Sequence, residues 1–214
     1  MSKRFTTTHL AATAALALAI GGAAGYFLAP DGAEEAVSAD SSCPEISTSD
    51  DVAAAFGRLV GSGGDVRSSV SERQWFLDSY KYSCMIHVNG RGRLLLTAEQ
   101  ANSGSVTDWK TNLEENGDIG SEMDNKSFTL GKTGVGVASS FSAAVYLPCK
   151  PAGSKLNIDK ELNVEVSMLR RGGDAGTNRS DAAQVARSLA SHAQYEMHCE
   201  NAERLPRGGP IKWT

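Results

Sequence analysis

The chain has 214 residues and a formal net charge of −4, from 21 Lys and Arg against 25 Asp and Glu. The acids are unevenly placed: Pro30 to Asp51 holds seven of them and no base, which leaves the remainder close to neutral. Such a balance excludes the basic footprint of a nucleic-acid-binding protein. It also leaves about 170 residues beyond the N-terminal segment, enough for one domain with its own core.

Residues 1–9 form a short N-terminus carrying Lys3 and Arg4. Leu10 to Leu28 (LAATAALALAIGGAAGYFL) then runs without a charge, about 28 Å as a helix and close to the thickness of a bilayer's hydrocarbon. Basic residues before it and Asp31, Glu34, Glu35 and Asp40 after it predict a cytoplasmic N-terminus and an exported remainder. The apolar region of a cleaved signal peptide is usually about 7–15 residues, so the length favours an uncleaved transmembrane signal-anchor. Cleavage after Val37-Ser38-Ala39, or at Gly22-Ala23-Ala24, is the alternative and would give a secreted protein. Lys3-Arg4 is not a twin-arginine pair, and no cysteine stands near the apolar run to accept a lipid. Gly21 and Gly25 have helix-packing spacing, which an Ala- and Gly-rich segment produces by chance.

Residues 29–48 are acidic and small, the composition of a linker. From 49 to 200 the pattern is that of an α+β domain. Ser49 is placed to cap a helix whose Val52, Ala55, Phe56 and Leu59 share one face, with Gly61 to Gly64 ending it. Residues 65–82 are ambiguous, with Trp75 and Phe76 an expected buried pair. Tyr82–Val88 and Arg93–Thr97 flank Asn89-Gly90, a strong hairpin signal. After polar Gln100 to Gly104, Ser105 opens a short helix bearing Val106, Trp109 and Leu113, stopped at Gly117. Residues 127–130, 134–138 and 142–147 read as short strands, and Leu162, Val164, Val166 and Met168 alternate inward along another. Following a loop at 170–177, Ser180 is expected to cap a last helix from Asp181 to about Cys199. Its inward stripe is Ala182, Val185, Leu189, His192, Glu196 and Cys199. Residues 201–214 form a Gly- and Pro-rich tail in which Trp213 either folds back or hangs free. The elements predict a two-layer domain: an antiparallel sheet with helices mainly on one face.

All four cysteines, Cys43, Cys84, Cys149 and Cys199, lie on the exported side, and an even count in an oxidising compartment predicts two disulfides. No C-x-x-C or clustered Cys/His spacing points to a metal instead. Of the three connectivities, Cys43–Cys84 with Cys149–Cys199 is preferred, because each pair ties a strand to a neighbouring helical element.

Cys43 ahead of DDVAAAFGRL, the second cysteine in YSCMIHV, and the later LPCK and MHCE together resemble exported actinobacterial proteins. These are lipoproteins and membrane-anchored proteins with a small disulfide-containing domain of unknown function. The resemblance covers residues 43 to 200 and departs from the lipoprotein members in lacking the lipid-acceptor cysteine. It implies an envelope location and no particular chemistry.

No motif assigns a reaction. Gly131-Lys132-Thr133 lacks the first glycine of a phosphate-binding loop, since position 126 is Lys126. Gly134-Val135-Gly136 has no third glycine in register, and no serine sits in G-x-S-x-G. His192 and Glu196, one helical turn apart, have the spacing of an acid–base pair or half a metal site, but with no second His or Glu set nearby a partly buried, hydrogen-bonded pair is the favoured reading. His87, beside the hairpin turn, is expected to be packed or solvated. Arg170, Arg171, Arg179 and Arg187 surround one loop and the start of the last helix, where they offer an anionic-ligand surface or ordinary solvated arginines. The sequence therefore predicts a non-catalytic, membrane-anchored binding module of the envelope, with a protein or cell-wall ligand, no cofactor, no metal and no nucleic acid. A secreted hydrolase-like enzyme using His192 and Glu196, or a small-ligand carrier, is the alternative.

Overall fold

A computed structural model describes residues 43, 46, 49–74, 79–102, 104–116, 119, 125–152, 160–169, 173–200 and 203–214, all within the unit Ala36–Thr214. The apolar segment Leu10–Leu28, Trp75, Phe76, Gly117, Arg170 and Arg171 lie outside the described residues. Among the described residues no helix is long and apolar enough to cross a membrane.

Among the described residues there are three helices, α1 (Asp50–Val60), α2 (Val106–Asn116) and α3 (Ala175–Glu196). The strands are β1 (Val66–Gln74), β2 (Tyr80–Val88), β3 (Arg91–Asn102), β4 (Lys126–Leu130), β5 (Gly134–Ala138), β6 (Ser142–Pro148), β7 (Lys160–Met168) and β8 (Lys212–Trp213). All join one antiparallel sheet in the order β1-β2-β3-β7-β6-β5-β4-β8, so the domain is α+β. Two meanders, β1 to β3 and β4 to β7, meet where β3 pairs with β7.

Period-two alternation gives each strand a buried face. Tyr82, Cys84 and Ile86 stand opposite Ala98, Leu96 and Leu94, which in turn oppose Val164, Val166 and Met168. Helices α1 and α3 cover this face, with α1 packed on α3. Phe56 and Leu59 of α1 are sealed there, each burial contributing about 2 kcal/mol. The sheet's other face carries α2 over β5 and β6. Trp109, with Val106 and Leu113 beside it, meets Ala144, Tyr146, Val135 and Val137 in a second, smaller core. Two helices thus share one face, and the third covers an apolar patch on the other.

Local signals explain most boundaries. Asn89 and Gly90 adopt φ of 53° and 70°, the left-handed pair that a two-residue hairpin turn requires. Ser105 and Asp108 cap α2 reciprocally: Ser105 Oγ accepts the Asp108 N–H at 3.0 Å, and Asp108 Oδ2 accepts the Ser105 N–H at 3.2 Å. Ser49 takes the N-cap position of α1 without accepting a backbone N–H.

Four expectations are corrected and one ambiguity is resolved. The ambiguous stretch contains β1, whose polar sequence follows from its place at the edge of the sheet. Strand β3 continues through Gln100 to Asn102, held by pairing with β7. Helix α3 begins at Ala175, not Asp181. Its cap is Asp174, which accepts the Thr177 N–H at 2.8 Å, and Ser180 lies inside the helix. The helix ends at Glu196, leaving Cys199 in an isolated bridge with Pro151.

The domain also exceeds 49–200 at both ends. Cys43 and Ile46 are fully buried, and the Ile46 carbonyl accepts a hydrogen bond from Ser188 Oγ of α3. The tail folds back: Leu205 is buried, β8 pairs with β4, and Trp213 packs edge-on against Phe128 at 5.7 Å. Because the tail covers its outer side, α3 is buried almost all round, from Ala182 and Ala183 to Ala193 and Gln194.

The disulfides are Cys43–Cys84, which ties the approach to α1 to β2, and Cys149–Cys199, which ties the end of β6 to the segment after α3. These are the pairs preferred from the order of elements. Among the described residues there is no free cysteine. Paired cysteines place the domain in an oxidising, extracellular type of compartment.

Candidate functional site

The open face of the sheet beside α2 holds a groove of about 430 Å³. Thr97 and Ala101 of β3 and Asn163 and Glu165 of β7 form its floor, and α2 forms one wall. One end is fixed by hydrogen bonds. Glu161, only 5% exposed, accepts the Gly104 N–H at 2.8 Å and Asn163 Nδ2 at 3.0 Å. Tyr146 Oη donates to the Gly104 carbonyl at 2.9 Å, so the peptide linking β3 to α2 is held from both sides. Trp109 and Tyr146 stack at a tilt, 5.7 Å apart, and brace α2 against the sheet. Asn163 Oδ1 is buried and has no hydrogen-bond partner. Among the described residues the lining carries Glu99, Asp108, Glu161 and Glu165, of which Glu99 pairs with Lys81 at 3.0 Å, and their remaining lone pairs offer acceptors to a donor-rich ligand.

The residues singled out from sequence are distributed differently. His192 and Glu196 face the sheet on the side opposite the groove. His192 is 8% exposed, meets the Tyr82 ring edge-on at 5.9 Å, and has its Nε2 4.0 Å from Glu72 Oε1 on β1. Glu72 pairs with Tyr82 across β1 and β2, which puts its carboxylate on the same face. Tyr80, one pleat further along β2, is 2% exposed. Burial drives its phenol pKa up, and the Glu72 and Glu196 carboxylates push it further. Glu72 also stands within hydrogen-bonding reach of the phenol. Continuing the register from Lys81↔Glu99 places Gln100 beside Tyr80. The structure thus brings Glu72 and Tyr80 beside His192 and Glu196, and neither was singled out from sequence.

Of the four arginines, Arg170 and Arg171 lie outside the described residues. Arg179 and Arg187 are 6% and 5% exposed, and the returning tail closes over Arg187. Arg187 donates to the carbonyls of Gly209 at 2.6 Å and Pro210 at 3.2 Å, and burial lowers its pKa. Gly131-Lys132-Thr133 forms the turn between β4 and β5. His87 sits half-buried at an irregularity in the β2–β3 pairing. Among the described residues no group of three His, Cys, Asp or Glu side chains is placed to hold a metal.

In comparisons with known proteins, no family model matches the chain, no curated protein is similar to it, and no solved structure matches its fold.

Proposed function

We propose that the chain is an exported, membrane-anchored domain that binds a cell-wall ligand without chemically changing it, using the groove beside α2. The observation that carries this reading is the groove's prebuilt end, where Glu161, Gly104, Asn163 and Tyr146 are locked by hydrogen bonds before any ligand arrives. Preorganised polar groups lower the cost of ordering on binding. The uncharged segment Leu10–Leu28 supplies the tether, and the paired cysteines fit an extracytoplasmic location.

The test is co-sedimentation of the protein with isolated cell wall. Ala101→Arg places a long side chain across the groove floor, and Lys132→Ala alters an exposed turn elsewhere. The reading predicts at least tenfold weaker binding for the first and none lost for the second. Ala101→Arg protein that sediments like the wild type contradicts it.

A further inference from the structure

A pocket of about 480 Å³ lies between the last turns of α3 and the returning tail, and it shares no lining residue with the groove beside α2. Both of its walls are fixed. On one, Gln194 Nε2 donates to the Glu203 carbonyl at 2.9 Å, and Gln194 Oε1 accepts the Leu205 N–H at 3.1 Å. Ser191 Oγ donates to the Leu205 carbonyl at 3.2 Å, so the tail passes the pocket along a set path. On the other, His198 follows α3 with φ of 50°, in the left-handed position that glycine often fills after a helix. Its N–H donates to the Tyr195 carbonyl at 3.1 Å, and its carbonyl accepts the Ala152 N–H at 3.0 Å. The Cys149–Cys199 bridge pins the next residue.

The lining sets the charge of the occupant. Arg204, Arg207 and His198 line the pocket, and among the described residues no carboxylate does. Nor, among the described residues, is either arginine in an ion pair. The nearby acids are turned elsewhere: Glu203 lies against Gly131 in the β4–β5 turn, and Glu196 acts on Tyr80. Three of the last α3 carbonyls, which would repel an anion, already accept the N–H groups of Met197, His198 and Cys199. One guanidinium fork satisfies both oxygens of a carboxylate, whereas a phosphate has oxygens enough for two forks and an imidazole. The volume is that of a small-ligand site, so the phosphate arrives on an organic carrier. Tyr195, 56% exposed and 6.2 Å from the His198 ring, gives that carrier an apolar face and a hydroxyl partner.

We propose that this pocket binds the phosphate ester of a polyol, with the phosphate held by Arg204, Arg207 and His198 and the carrier laid against Tyr195. A free metabolite presents such a phosphate as a monoester, and a lipid headgroup presents it as a diester.

The test uses the full chain in a non-ionic detergent and chloride buffer. Calorimetry measures affinities for glycerol 3-phosphate, glycerophosphoglycerol and, as the carboxylate analogue, glycerate, all at one ionic strength. At least one ester is expected to bind about tenfold or more tightly than glycerate. Tighter binding of the monoester assigns a free metabolite, and tighter binding of the diester assigns a headgroup. Arg204→Gln and Arg207→Gln are each expected to weaken binding about tenfold, while the unliganded Tm holds because both side chains are exposed. Arg91→Gln, at an exposed arginine of the β2–β3 hairpin, is expected to bind like the wild type. No binding of either ester, equal binding of glycerate, wild-type affinity in both pocket variants, or an equal loss in Arg91→Gln overturns the proposal. The ester-to-glycerate comparison needs no variant, so it decides even where a substitution disturbs folding.

Discussion

Arg58→Met is the perturbation that probes how α1 is held to α3. Arg58 Nε and Nη2 donate to the two carboxylate oxygens of Asp181 at 2.8 and 2.7 Å. Asp181 is sealed, with 2% of its side chain exposed, while 52% of the Arg58 side chain is exposed. Removing one partner of a fully buried pair costs about 3–5 kcal/mol, because a charge is left buried without compensation. Water reaches this pair from the Arg58 side, so the expected loss is smaller, about 2 kcal/mol. In a domain of this size that corresponds to a fall in Tm of about 4–8 °C. Arg58→Met with Asp181→Leu removes both charges and should recover most of the loss. Urea unfolding at neutral pH of the wild type, both single variants and the double variant gives the coupling directly. A loss below about 0.5 kcal/mol for Arg58→Met, or singles that simply add, would refute the reasoning.

Replacing either cysteine pair by alanine should lower stability by up to about 4 kcal/mol, since the bridges span 41 and 50 positions; reducing and non-reducing melts check this. Gly136→Ala should cost about 1–3 kcal/mol, because its methyl would overlap the ring of Phe128, which is 1% exposed and cannot swing out; denaturant unfolding measures it. Ending the chain at Glu203 should destabilise the domain and raise exchange of α3 amides, as Leu205, the partners of Arg187 and Ser191 and one of the two partners of Gln194 are lost. Asp51 is held below its usual pKa of 3.8 by the Ser49 hydroxyl and the Gly209 N–H. The stabilisation this gives is present above that value and lost as pH falls through the lowered one. Asp51→Asn should therefore flatten the acid limb of a Tm-against-pH profile below about pH 4 and leave its neutral slope unchanged.

What could be read from sequence follows from how strongly each residue's surroundings are local. Asn89-Gly90 names its own turn, and Leu162, Val164 and Val166 name their own face, because both signals act within a few residues. Strand β1 was not legible, since at the sheet edge its exposed Ser69, Val70, Ser71 and Glu72 show no apolar alternation. The first turn of α3 holds Gly176 and Thr177, both poor helix formers, and rests on the Asp174 cap, a signal three residues long. The tail holds few apolar residues, and its docking depends on carbonyls meeting Arg187, Ser191 and Gln194, which composition does not encode. Helical spacing joins His192 to Glu196, but Glu72 and Tyr80 reach them through strand register across distant parts of the chain. The groove was not legible at all, because it exists only where α2 crosses the sheet.

The central claim is an exported, doubly cross-linked domain tethered by its N-terminal segment. Intact mass of the protein isolated from the cells that make it, unreduced and treated with a thiol-alkylating reagent, tests it most directly. The account predicts the mass of the chain with Leu10–Leu28 still attached, no alkylation before reduction, and four alkylated cysteines after it. A mass beginning near Asp40 would contradict the tether, and alkylation without reductant would contradict the cross-links.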